Sequence, residues 1–128
     1  MRKYIFCITI IISLISVNFK AQTKAKDTLF FKFDKNYIVT YDVTPDKYYL
    51  LDSNSGGTFY FERKESHYNL KPNKVKNLKD FIHNSKFYRK DFYRKLNDYR
   101  LYEYFRKYVI FLVFENEFIE VQSSFEID

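Results

Sequence analysis

Tyr108-Val109-Ile110-Phe111-Leu112-Val113-Phe114 is an unbroken apolar run, mostly β-branched or aromatic. A strand that is apolar on both faces belongs in the middle of a sheet, with cover on each side. Glu115, Asn116 and Glu117 then supply a short polar turn into residues 118–121, where Ile119 and Val121 alternate with Glu120. Together these segments predict a C-terminal β-hairpin.

Upstream of this run the apolar period is helical. After Pro72, the residues Val75, Leu78, Phe81 and Ile82 fall on one stripe, with Asn73 or Asn77 available as N-cap and Asp80 three positions after Asn77. A second helical stretch starts near Asp98, a candidate N-cap, and runs through Leu101, Tyr102 and Phe105 to the cations Arg106 and Lys107, which suit a helix C-terminus. Tyr88, Phe92, Leu96 and Tyr99 continue that stripe upstream, so one longer helix is an alternative.

Further back still, the period falls to two. Leu29, Phe31 and Phe33 alternate with Lys32, and Tyr37, Val39, Tyr41 and Val43 alternate with Thr40 and Asp42, with Asp34, Lys35 and Asn36 as a turn between them. A third strand is expected at residues 58–63, where Phe59 and Phe61 alternate with Tyr60 and Glu62. The expected fold class is α+β: an antiparallel sheet, made of this N-terminal meander plus the C-terminal hairpin, with two central helices on one face.

Residues 1–21 read as a cleavable signal peptide: Arg2 and Lys3, then an apolar stretch over residues 4–17, then the polar break from Asn18 to Gln22. This stretch of fourteen residues, interrupted by Ser13 and Ser16, suits a signal core and falls short of the ~20 that span a bilayer. Cleavage after Ala21 leaves residues 22–128 as a single α+β domain. Cys7, the only cysteine, departs with the signal, so the core must be held by packing alone. The expected location is periplasmic or secreted, with no transmembrane span after cleavage.

The formal charge of +6 falls to +3 once Arg2, Lys3 and Lys20 are removed. What remains is uneven: residues 63–107 hold 14 basic and 5 acidic side chains, whereas residues 108–128 hold five acidic ones and no basic ones. Within the basic part, Phe87-Tyr88-Arg89-Lys90 is repeated after Asp91 as Phe92-Tyr93-Arg94-Lys95. Aromatics between cations suit an anionic surface, so Tyr88, Arg89, Lys90, Tyr93, Arg94 and Lys95 are the candidate contacts. A five-residue offset does not align the two copies on one face of a helix or a strand. Export makes nucleic acid an unlikely partner. Phe, Tyr, Met, Ile, Asn and Lys make up 65 of the 128 residues and Gly, Ala, Arg and Pro only 12, a codon-composition bias that weakens any argument from lysine or tyrosine abundance.

Catalytic constellations are mostly absent. The stretch Asp52-Ser53-Asn54-Ser55-Gly56-Gly57 echoes a calcium loop, but its twelfth position is Arg63 instead of a bidentate glutamate, and it reads as a polar turn. His67, expected in a polar loop, and His83, expected near a helix end, have no cysteine to complete a zinc set. No metal, cofactor or catalytic residue is expected. No glycine-rich phosphate loop or nucleophile elbow occurs. Paired carboxylates for glycan hydrolysis are not selected by any spacing.

The junction Ala21-Gln22, the Lys/Asn/Phe/Tyr-rich chain after it and the segment Asp27-Thr28-Leu29-Phe30-Phe31-Lys32-Phe33 resemble small exported proteins of Bacteroidota. The resemblance implies a cell-envelope or secreted location and carries no activity. The functional expectation is an exported binding or interaction protein of the envelope, its partner an envelope protein or an anionic surface. The alternatives are a small hydrolase acting on envelope polymers, or anionic-surface binding through residues 86–107.

Overall fold

The computed structural model describes residues 26–53, 57–90 and 96–127; the signal-peptide reading and the positions of Tyr93, Arg94 and Lys95 lie outside the described residues. In chain order the elements are β1 (Thr28–Lys32), β2 (Ile38–Tyr41), β3 (Thr44–Leu50), β4 (Gly57–His67), β5 (Lys76–Asn77), α1 (Leu78–His83), α2 (Asp98–Phe105), β6 (Val109–Phe114) and β7 (Glu117–Ile127).

The C-terminal hairpin forms, with β6 and β7 antiparallel from Ile110↔Val121 to Phe114↔Glu117, but Glu117 belongs to the strand and not the turn, and β7 runs on past residue 121 to Ile127. Glu115 in the two-residue turn takes φ 54°, left-handed geometry that matches the twist of a tight hairpin. β6 has a strand on either side, as its two apolar faces require. Ile110 and Leu112 point into the main core and Phe111 is buried on the opposite face.

The antiparallel sheet carrying two central helices is not what forms. The protein is mostly β, 51% strand and 15% helix, so the fold is set by one mixed, curled seven-stranded sheet to which two helices, one of them short, are added. The strand order is β2-β3-β4-β7-β6-β1-β5. The N-terminal segments make an antiparallel meander of β2, β3 and β4, but β1 is not its first strand. β1 inserts between β6 and β5 and runs parallel to both, from Thr28↔Val109 to Lys32↔Val113 and from Phe31↔Lys76 to Lys32↔Asn77. Phe30 supplies the reason. Phe31 is fully buried against the helices while Phe30 stacks on Phe111 of the other face at 5.2 Å, so β1 is apolar on both sides and needs a neighbour on each edge. β5 and β6 thus flank β1, and a long connection through α1 and α2 joins them, as parallel strands require.

The strand expected from Tyr37 to Val43 is shorter and is followed by a seven-residue strand that the period-two pattern hides. Asp42 and Val43 form the turn between β2 and β3, which leaves Val43 89% exposed. Pro45 and Asp46 interrupt the alternation at the start of β3, and Tyr48 and Tyr49 are apolar on consecutive positions.

Both helices start at asparagines. The Asn77 side chain accepts from the Asp80 N–H at 2.9 Å, and Asn97 accepts from the Arg100 N–H at 3.2 Å. Val75 therefore lies outside α1 and is exposed, and Asp98 is the first helical residue instead of the cap. The longer helix is excluded, because Tyr88 and Leu96 pair in an antiparallel bridge and the Asn97 N–H donates to the Phe87 carbonyl at 2.8 Å. α2 buries Asp98, Leu101 and Phe105 at helical spacing. With Leu78 and Ile82 of α1 they close over Phe31, Phe59, Phe61, Ile110, Leu112, Ile119 and Val121 of the sheet. No helix among the described residues is long and apolar enough to cross a membrane.

Candidate functional site

The parallel insertion of β1 carries β5 and α1 to one end of the sheet and opens a cleft between them and α2. The cleft encloses about 630 Å3, within the range of roughly 300–1,000 Å3 typical of small-molecule sites. Its floor is Phe81 from α1, Phe87 from the turn after α1, and Tyr104 from α2; its rim carries Lys74, Lys76 and Lys86. Phe87 is held by the turn after α1, where the Ser85 hydroxyl donates to the Ile82 carbonyl at 2.6 Å and accepts from the Phe87 N–H at 3.2 Å. The Lys76 ammonium stands 5.3 Å above the Phe81 ring and the Lys86 ammonium 5.7 Å from the Phe87 ring, so the cations lean over the apolar floor. None of the three lysines is in an ion pair among the described residues, and Asp80 is the one carboxylate in the lining.

Tyr104 edges this floor, 5.3 Å from Phe87 between ring centroids. Its hydroxyl is pushed up to about 12, first by the hydrogen bond between it and the Tyr108 hydroxyl and then by burial. An unfolded tyrosine ionises near about 10. Between these values the folded chain binds more protons than the unfolded one, so this contribution to stability is complete below about pH 10 and is lost as pH rises through about 12. Tyr104→Phe is expected to reduce the pH dependence of stability in that window, measured by circular dichroism during alkaline titration.

Two further concavities meet the cleft at Lys86 and Phe87. One, of about 480 Å3, contains Arg89, Asn97, Asp98 and Arg100; the other, of about 300 Å3, contains Arg100, Glu103 and Lys107. The described candidates from the repeat, Tyr88, Arg89 and Lys90, do not converge. Arg89 is exposed and lines the first of these concavities, and Lys90 is exposed. Tyr88 turns away and stacks on His83 at 3.9 Å and 12°. The cleft's own lining includes none of Tyr88, Arg89 and Lys90; Lys74, Lys76 and Phe81 come from the segment read as an amphipathic helix with Phe81 on its apolar stripe.

On the far side of Tyr88, His83 closes α1 with its Nε2 2.7 Å from Asp52 Oδ2. Asp52, the first residue of the calcium-like stretch, is therefore committed to a clasp between α1 and the β3–β4 connection. The Tyr37 ring meets His83 edge-on at 5.8 Å, and its hydroxyl is the one buried side-chain polar atom without a hydrogen-bond partner among the described residues. Burial, together with the nearby Asp52 carboxylate, pushes this phenol well above the usual tyrosine range. Imidazole and carboxylate make half of a nucleophilic site, yet no described hydroxyl is bonded to this ring. His67 is not in a loop: it ends β4, opposite Phe118.

No known protein family, curated protein or solved structure matches the chain.

Proposed function

We propose that this chain is an exported, non-catalytic binding protein of the cell envelope whose cleft takes a small anionic amphiphile, an acidic head group on an apolar body. The observation that carries this is the pairing of an aromatic floor, Phe81, Phe87 and Tyr104, with three lysines at the rim that are free of ion pairs among the described residues. The floor removes the apolar body from water, at about 25 cal/mol per Å2. The ammonium groups then select the sign of the head group, and neighbouring Arg89, Arg100 and Lys107 extend the positive surface. Hydrolysis is the weaker reading, since the cleft holds a single carboxylate and glycan hydrolysis takes a facing pair.

The test is a titration of the full chain with an anilinonaphthalene sulfonate dye, followed by displacement with decanoate or with a decyl trimethylammonium salt. Decanoate is expected to displace the dye and the cationic amphiphile is not. Joint Lys76→Glu and Lys86→Glu substitution is expected to weaken decanoate about tenfold or more. Equal displacement by both amphiphiles, or unchanged affinity in the charge-reversed variant, refutes the reading.

A further inference from the structure

β4 contains a fault in its alternation. Arg63 pairs with Val121 but Ser66 pairs with Ile119, so one extra residue is accommodated in β4 and Lys64 and Glu65 together oppose Glu120. A bulge of this kind reverses the faces of everything after it. By strict alternation His67 shares the side of Phe59 and Phe61 and points into the core. Across the bulge it turns to the opposite face, where its ring meets Phe111 edge-on at 5.5 Å and 84°.

Three side chains converge there. Ligating atoms of Glu65, His67 and Glu120 all lie within 4.8 Å of one another. His67 Nε2 and Glu120 Oε1 are 3.3 Å apart, which matches the separation of about 3.3 Å between two ligands bound tetrahedrally at roughly 2.0–2.1 Å from zinc. Glu65 is exposed and has the freedom to swing in as the third ligand. Phe111, the cross-strand partner of Glu120, and Phe118, the partner of His67, are both 8% exposed, and with Phe30 they make an apolar wall beside the donors. Such a wall fixes the imidazole and lowers the local dielectric around an ion. Arg63 does not compete, because it is bonded to Glu117 and Ser66.

The structure assigns Glu65, His67 and Glu120 as a three-ligand site for a divalent transition-metal ion of the zinc type, with a fourth position open to solvent. One imidazole and two carboxylates are borderline-to-hard donors that suit zinc. Two glutamates balance the charge of the ion. The site lies on the sheet face away from the helices, and it is independent of the amphiphile cleft.

Zinc chloride titrated calorimetrically into the full chain, with Cys7→Ser to remove the only thiol, tests the assignment. One equivalent is expected to bind in the micromolar range or tighter. His67→Ala is expected to lose about 100-fold or more in affinity, and Glu65→Gln, at an exposed position that leaves the fold intact, about tenfold. His83→Asn, which alters the other histidine, leaves the affinity unchanged. Saturating zinc raises the melting temperature of the parent chain and not that of the His67 variant. No binding in the micromolar range, or stoichiometric binding that survives His67→Ala, overturns the assignment.

Discussion

Replacing Phe105 by alanine is expected to destabilise the protein by about 3–5 kcal/mol, the usual cost of deleting a buried aromatic ring and leaving its cavity. Phe105 is fully buried in α2, and its ring lies 5.8 Å from Phe31, 5.9 Å from Phe59, 5.5 Å from Phe61 and 5.9 Å from Phe81. These four rings come from β1, β4 and α1. Removal of the Phe105 side chain therefore loosens the packing of α2 on β1, β4 and α1 together, and rings on three elements cannot all collapse into the space. Since domains of this size are stable by only about 5–15 kcal/mol, the loss is a large part of the total. Urea denaturation followed by far-ultraviolet circular dichroism is the measurement, with an unchanged slope and a lowered midpoint expected. Phe105→Leu keeps most of the volume and is expected to cost clearly less. An unfolding free energy for Phe105→Ala within about 1 kcal/mol of the parent would show that the core repacks around the gap.

Asp98→Ala is expected to be the second most damaging change, at about 2–4 kcal/mol. Asp98 is only 4% exposed, and its Oδ2 accepts from the Phe59 N–H at 2.9 Å. Phe59 is itself fully buried. Alanine leaves that backbone donor with neither its carboxylate nor water, and it also removes negative charge from the first turn of α2. Asp98→Asn keeps an acceptor oxygen and is expected to fall between parent and alanine. Amide hydrogen exchange locates the effect: the Phe59 amide is protected in the parent and exchanges much faster in the alanine variant. Equal protection in both would place the cost elsewhere.

This carboxylate also shows how a residue can be singled out for one reason and matter for another. Asp98 reads as an N-cap because a short acid precedes an apolar stripe. Asn97 takes the cap, and Asp98, one position on, tethers the helix to β4. The two positions cannot be separated from sequence, because either residue type caps well. Only the distance to Phe59, a residue 39 positions away, decides between them.

Local chemistry by itself determined the C-terminal hairpin, the apolar positions Leu78, Phe81 and Ile82 of α1 and Leu101 and Phe105 of α2, and the alternation through Phe59 and Phe61, and it narrowed the α1 cap to Asn73 or Asn77. Each depends on residues within one or two turns of chain, where the periods of 2 and 3.6 act directly. The parallel seat of β1 was decided by tertiary structure. A two-residue β5 has no period to detect, and a pairing between residues 28–32 and 109–113 is set by the burial of Phe30 and Phe31 on opposite faces of the finished sheet. The same holds for the sites. The basic aromatic segment is visible in the sequence, but the cleft exists only where β5, α1 and α2 meet. Glu65, His67 and Glu120 converge only because one extra residue in β4 turns its end over, and a bulge is a property of two paired strands that neither carries alone.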